Sequence, residues 1–407
     1  MKVPIAAFVV AFALIAPDMA ARSPEAPASV QAVRELDAAF IASYNLDHDL
    51  ALSRARQAVA LDPESSRVHR GLASIIWLRQ VFERGTMTVD HYLGSISTSK
   101  LLLPAPDPEL TDEFKGALAR AIALAERRLR DRPQDVDALF DAGAAYGLQA
   151  SHLASIEGGI TGAFRAARRA FDTQSEVLRR DASRAPAGLI VGAYRYLVAS
   201  QPWFVRFFAY LAGFPGDKEK ALALIEEASH DPLSRVEAKT ALIIIYSRES
   251  RHTEAMRLAR ELNLELPRNR LFLLEEGAAA IRAGRSAEAE AVLTRGLAAF
   301  EADARPKIRS EHAIWLYKRG LARLNQNHPA GALPDLTRAL TLRPAAWVEG
   351  RIHVAIGKLA DLAGRRADAI AAYTKGRAKC GEESDTTCLN EARQFLRQPF
   401  SFDHRNP

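Results

Sequence analysis

Imidazoles are the first residues to weigh for chemistry, because they ligate metals and move protons near neutral pH. Ten occur, at His48, His69, His91, His152, His230, His252, His312, His328, His353 and His404. No two stand at helical ligand spacing, and no Cys pair or His-Glu-x-x-His frame accompanies them. No metal site is therefore expected, and they read as surface or capping residues. Gly158, Gly159 and Gly162, in EGGITGAF, are placed to offer backbone N–H groups to an anion at a helix start. No strand precedes them and no Lys-Ser/Thr follows, so a flexible helix connection is the better reading. No serine sits in a Gly-x-Ser-x-Gly elbow, and Glu226 and Glu227 look like one solvated helix face. Neither an enzyme nor a cofactor is expected.

Three other groups carry some chemistry. Cys380 and Cys388 enclose CGEESDTTC, which lacks partners for a metal or redox role; a disulfide is the default in an exported chain, with two free thiols the alternative. Arg165, Arg168, Arg169, Arg179, Arg180 and Arg184 recur at helical spacings. They form a solvated face or a surface for an acidic partner or anionic lipid. The third group is Tyr194 to Asp217, where Trp203, Phe204, Phe207, Phe208 and Phe214 are concentrated. Its helix, from Trp203 to Ala212, is apolar nearly all round, which favours burial as a joint between two helical arrays. The alternatives are a hydrophobic lining and a peripheral membrane contact.

All these residues depend on elements that the rest of the chain must build, and those elements are helices. Periodicity of helical type begins near Ser29 and rarely stops; the short Leu242 to Ile245 run falls inside a helical frame. The last third repeats itself. From three anchors, Gly277, Gly320 and Gly357, a residue tolerant of a left-handed turn follows at +7: Gly284, Asn327 and Gly364. Ala289, Ala332 and Ala369 follow at +12, Leu293, Leu336 and Tyr373 at +16, and Gly296, Ala339 and Gly376 at +19. Pro344 falls 24 residues after Gly320, where a second helix should stop. A small residue on one helix admits a close neighbour, a large one on the next fills the groove, and the pairs must stack to bury their faces.

This set of residues resembles the tetratricopeptide repeat, a helical hairpin of 34 residues with Gly, Tyr, Ala, Phe and Pro at matching separations. The resemblance implies an all-α superhelix of stacked hairpins and a protein- or peptide-binding role without catalysis. The anchors depart from the family period, standing 43 and 37 residues apart, so an extra turn or a longer helix is expected around Glu301 to Pro306. Elsewhere the pattern is partial, at Ala51, Ala58 and Pro63, at Leu139, Gly143 and Tyr146, and at Tyr246, Ala255 and Pro267. Gly85 to Pro108 interrupts it, as a loop or short helix.

At the start, Lys2 precedes the apolar run Ile5 to Ala16, then come Pro17 and the small residues Ala20 and Ala21. That is the order expected of a secretory signal peptide, with an apolar run too short to span a bilayer; an uncleaved anchor is the alternative. The expected organisation is a signal at 1–21, degenerate hairpins at 22–190, an aromatic joint at 191–230, repeats at 231–379 and a cap at 380–407. A net charge of +6, scattered over helices, does not favour nucleic acid, which needs a concentrated stripe. The leading expectation is an exported scaffold, periplasmic or in the cell envelope, holding an unidentified protein or peptide, with Leu273, Tyr246 and Tyr146 among the contacts. The alternative is a lipid- or membrane-surface binder acting through the aromatic segment.

Overall fold

The computed structural model describes residues 27–93, 96, 103–201 and 216–402, and among these the chain is all helical, without strands. Seventeen α-helices follow one another. They are α1 Pro27–Tyr44, α2 His48–Leu61, α3 Ser66–Glu83, α4 Pro108–Asp131, α5 Val136–His152 and α6 Ile160–Arg180. Next come α7 Ala185–Ala199, α8 Lys218–Ala228, α9 Arg235–Arg248, α10 His252–Glu265, α11 Arg270–Arg282 and α12 Ser286–Ala302. The last are α13 Glu311–Asn325, α14 Pro329–Thr341, α15 Ala346–Leu362, α16 Arg366–Glu382 and α17 Thr386–Arg397. A 3₁₀ turn at Val89–Tyr92 separates α3 from α4, and a π turn at Leu153–Glu157 extends α5.

Two compact units divide the chain: residues 1–82 with 105–242, and residues 83–104 with 243–407. In the first, α1 packs on α2, and each of α4 to α7 packs on its successor. Asp107, Asp135 and Asp217 cap α4, α5 and α8, each accepting from backbone N–H groups of the first turn. In the second unit each of α10 to α16 packs on the next, while α11, α13, α15 and α17 also touch in turn. That second set of contacts makes the hairpins a stack, the arrangement of a tetratricopeptide-like solenoid.

The repeat offsets acquire a geometry here. A Cβ placed on Gly277 would lie 2.5 Å from Leu293 Cγ, one on Gly320 2.9 Å from Leu336 Cγ, and one on Gly357 2.5 Å from Tyr373 Cε1. The large +16 side chain therefore sits in the notch over the glycine. Ala289, Ala332, Ala339 and Ala369 have no exposed surface. At +7, Gly284, Asn327 and Gly364 all have positive φ, between 58° and 74°. The next residue's N–H then reaches five residues back, as in Arg285 to Ala280, His328 to Arg323 and Arg365 to Ala360, each at 2.9 Å. That pair of features is the Schellman helix ending, which turns α11, α13 and α15 into their partners. Pro344 lies between α14 and α15, where the chain leaves helix.

The long spacing between the first two anchors is taken up by the connection from Asp303 to Ser310. Arg270, 3% exposed, pins it: Nε donates to Glu311 Oε1 at 2.6 Å, Nη1 to Asp303 Oδ2 at 2.7 Å and Nη2 to the Pro306 carbonyl at 2.7 Å. At the other end, a disulfide joins Cys380 on α16 to Cys388 on α17, both buried, with Cα atoms 5.9 Å apart. Among the described residues no helix is long and apolar enough to cross a membrane.

Candidate peptide-binding groove

Thr88 to Tyr92, between α3 and α4, belong to the second unit, and they lie against its helices α9, α11, α13 and α15. Thr88, Val89, Asp90, His91 and Tyr92 are each at most 5% exposed. Such burial of five successive residues outside any long helix demands partners for their polar atoms, and the stacked helices supply them. Val89 N–H donates to Glu275 Oε1 on α11 at 2.9 Å, and Arg248 Nη1 on α9 donates to the Tyr92 carbonyl at 2.8 Å. His91 meets the ring of Trp347 on α15 edge-on, with centroids 5.4 Å apart, and its Nδ1 pairs with Thr88 Oγ1 at 2.9 Å. Tyr92 Oη donates to the Thr86 carbonyl at 2.6 Å, closing the strap on itself.

Asp90 is the centre of this arrangement. Lys318 Nζ on α13 donates to Oδ2 at 2.5 Å, and Arg351 Nη1 on α15 donates to Oδ1 at 2.8 Å. Arg351 Nε in turn donates to the fully buried Asp385 Oδ2 at 2.6 Å, which holds the guanidinium in place. Burial works against ionising Asp90, but the charges of Lys318, Arg351 and Arg282 win and hold its carboxyl far below the usual range. Burial pushes Lys318 downward against the pull of Asp90. Glu275 is pushed upward by burial and by the Asp90 charge, and its Oε2 is buried without a hydrogen-bond partner. Among the described residues Asp90 is the carboxylate within ion-pair distance of Lys318.

Repeat register explains why these side chains converge. Glu275 and Lys318 each stand two residues before an anchor glycine, so successive hairpins present them to the same face. Sequence reading passed over them because a lone Glu or Lys on an amphipathic helix looks like solvated surface. The signal that was available is their shared offset from Gly277 and Gly320.

The residues proposed from sequence as contacts lie elsewhere. Tyr146 is buried, donates to Glu126 Oε1 at 2.6 Å and carries the Arg169 guanidinium 3.9 Å from its ring centre. Tyr246 is buried under Arg251, and Leu273 packs against the Gly296 notch. Tyr146 and Tyr246 are packing residues, because their large apolar bodies gain more by filling helix interfaces than by facing a groove, while Leu273 is half-buried. Trp203, Phe204, Phe207, Phe208 and Phe214 lie outside the described residues. Their flanking residues Tyr194 and Tyr196 are buried on α7.

The arginine face on α6 is largely neutralised: Arg168 pairs with Asp172 at 2.8 Å, Arg169 with Glu126 at 3.1 Å, and Arg179 and Arg180 both with Glu176. Arg184 pairs with Asp137. A cleft of about 420 Å³ in the first unit brings Arg67, Arg127, Arg128, Arg132 and Arg184 together with as many carboxylates, so no net charge selects a ligand there. Gly158 takes φ 71° and ends the π turn before α6, which is the work of a helix connection. No group of His, Cys, Asp and Glu among the described residues is arranged to hold a metal ion.

No protein-family model and no curated protein matches the chain. Solved structures do. The Cut9–Hcn1 hetero-tetramer of the APC/C matches at 13% identity and TM-score 0.47, covering 89% of this chain and 55% of that one. This chain thus spans about half the length of the one it matches there. Yeast Tom70 matches at 12% identity and TM-score 0.37, covering 90% of each chain. A tetratricopeptide repeat protein from Parabacteroides merdae matches at 12% identity and TM-score 0.31, covering 80% of this chain and 99% of its own.

Proposed function

We propose that this chain is an exported, non-enzymatic scaffold of tetratricopeptide-like hairpins that binds a protein or peptide partner in the cell envelope. One observation carries the reading: the face built by α9, α11, α13 and α15 grips a stretch of polypeptide. It does so through a main-chain N–H at Glu275, a main-chain carbonyl at Arg248 and a carboxylate at Lys318 and Arg351. Extended segments are recognised in this way, with backbone bonds for affinity and side-chain sites for selectivity. Export is supported by the charged, apolar, small-residue order of residues 1–21 and by the Cys380–Cys388 bridge, which suits an oxidising compartment.

A photo-crosslinking residue at Arg282, half-buried at the end of α11, tests the proposal in living cells. The expected product is one discrete adduct, absent when the crosslinker replaces Leu264, which is 74% exposed on α10. Adducts of the same pattern from both positions, or none larger than the chain itself, would overturn it.

A further inference from the structure

We propose that residues 88–92 are an exchangeable internal ligand: the chain occupies its own groove, with Asp90 standing in for an acidic side chain of the partner. This deepens the scaffold reading and rests on it. The strap meets the stacked helices as a bound peptide would, through one backbone donor, one backbone acceptor, one aromatic contact and one carboxylate. It reaches them from a distant part of the chain; Asp90 is 228 residues from Lys318 and 261 from Arg351. Among the described residues, the strap's hydrogen bonds to the stack run to the side chains of Glu275, Arg248, Lys318 and Arg351.

Chemistry makes the occupant replaceable. Lys318 and Arg351 recognise a carboxylate, and a carboxylate from another chain satisfies them as well as that of Asp90. Arg351 keeps Asp385, but Lys318 on α13 loses its ion-pair partner when the strap leaves, and an unpaired buried charge is far costlier than a paired one. The site therefore favours an anion facing Lys318, from the strap or from a partner. A partner that fits presents Asp or Glu within a short extended or single-turn segment, next to an aromatic or imidazole ring that meets Trp347. Occupancy in cis lowers apparent affinity by the fraction of chains with the strap out, which keeps the scaffold closed until a suitable ligand is concentrated nearby.

The test uses the full chain with residues 88–92 replaced by a Gly/Ser linker of equal length. The probe is a fluorescent synthetic peptide of this chain's own Thr86–Leu93 sequence, followed by anisotropy. The linker chain should bind the probe saturably, and the unmodified chain at least ~10-fold more weakly. An Asp90→Asn probe, or Lys318→Met in the linker chain, should each weaken binding at least ~10-fold. A folded linker chain that takes up no probe overturns the proposal, as does equal binding by the unmodified chain.

Should the linker chain fail to fold, Asp90→Asn in the intact chain decides. Amide exchange of the strap should then rise at least ~10-fold more than that of α11 and α13; exchange that rises equally in strap and helices makes the strap constitutive core and ends the idea. Because the probe is the chain's own sequence, the outcome is independent of any envelope partner. Probe binding without partner capture sinks the scaffold reading alone.

Discussion

Single side chains make the first predictions. His91 is 3% exposed, and burial pushes it down to about 4, against the pull of Asp90 and the Thr88 backbone and with the repulsion of Arg351 and Lys318. An unfolded histidine titrates near 6.5, so between about 6.5 and 4 the unfolded chain binds the extra proton and stability falls as pH falls. The loss through His91 is about 3 kcal/mol across that window, since each pKa unit is worth about 1.4 kcal/mol. Urea titrations at pH 7 and pH 4.5 should show this drop in the second unit. In His91→Gln the drop should shrink, and an unchanged slope would remove His91 from the account.

The anchor glycines make a second prediction. Alanine gains about 1 kcal/mol over glycine in a helix, so a net loss must come from crowding. At Gly357 the obstacle is the Tyr373 ring, fixed by its hydroxyl donating to Asp361 Oδ2 at 2.9 Å. At Gly320 it is the movable Leu336 side chain. Gly357→Ala should therefore cost about 1–3 kcal/mol and Gly320→Ala less. Denaturation midpoints in the reverse order would contradict the notch geometry.

At the scale of an element, the hairpin turns and the C-terminal staple decide local stability. Gly284 has φ 74° and open space where a Cβ would stand, so Gly284→Ala isolates the conformational cost, about 1 kcal/mol. Asn327, at φ 58°, already bears part of that cost, and Asn327→Gly should change stability by only a few tenths of a kcal/mol. Calorimetry on the two variants checks the contrast. The Cys380–Cys388 bridge, at sequence separation 8, closes a short loop, and the chain-entropy model assigns it about 2–3 kcal/mol. Reduction with dithiothreitol should lower protection from exchange in α17 first, because Asp385, the α17 cap, lies inside the closed loop. Loss beginning in α11 instead would mean that the staple acts through another route.

At the scale of the molecule, the second unit is completed by residues 83–104, which precede it by more than a hundred residues in the chain. A fragment starting at Arg235 keeps α9 to α17 but lacks Asp90, leaving Lys318 without its counter-ion. Such a fragment should lose protection in α13 and α15 compared with the intact chain, and recover part of it when the Thr86–Leu93 peptide is added. Protection unchanged by truncation would show that the strap contributes nothing to the stack.

Helix type, hairpin order, the notch glycines and the left-handed turns were written in the sequence, while Cys380 and Cys388 stayed open there between a bridge and two free thiols. Each depends on residues within about forty positions of one another, and a period that short survives as spacing. Gly277 with Leu293, or Gly320 with Asn327, could be paired by counting. The strap could not. Residues 85–108 read as an interruption from Pro104, Pro106, Pro108 and the polar Ser95 to Ser99 run, and within them Asp90 has its partners on two later hairpins, at no repeating distance from it. Only the tertiary structure brings a carboxylate and two cations together across that separation, for the physical reason that ion pairing acts through space while periodicity acts along the chain.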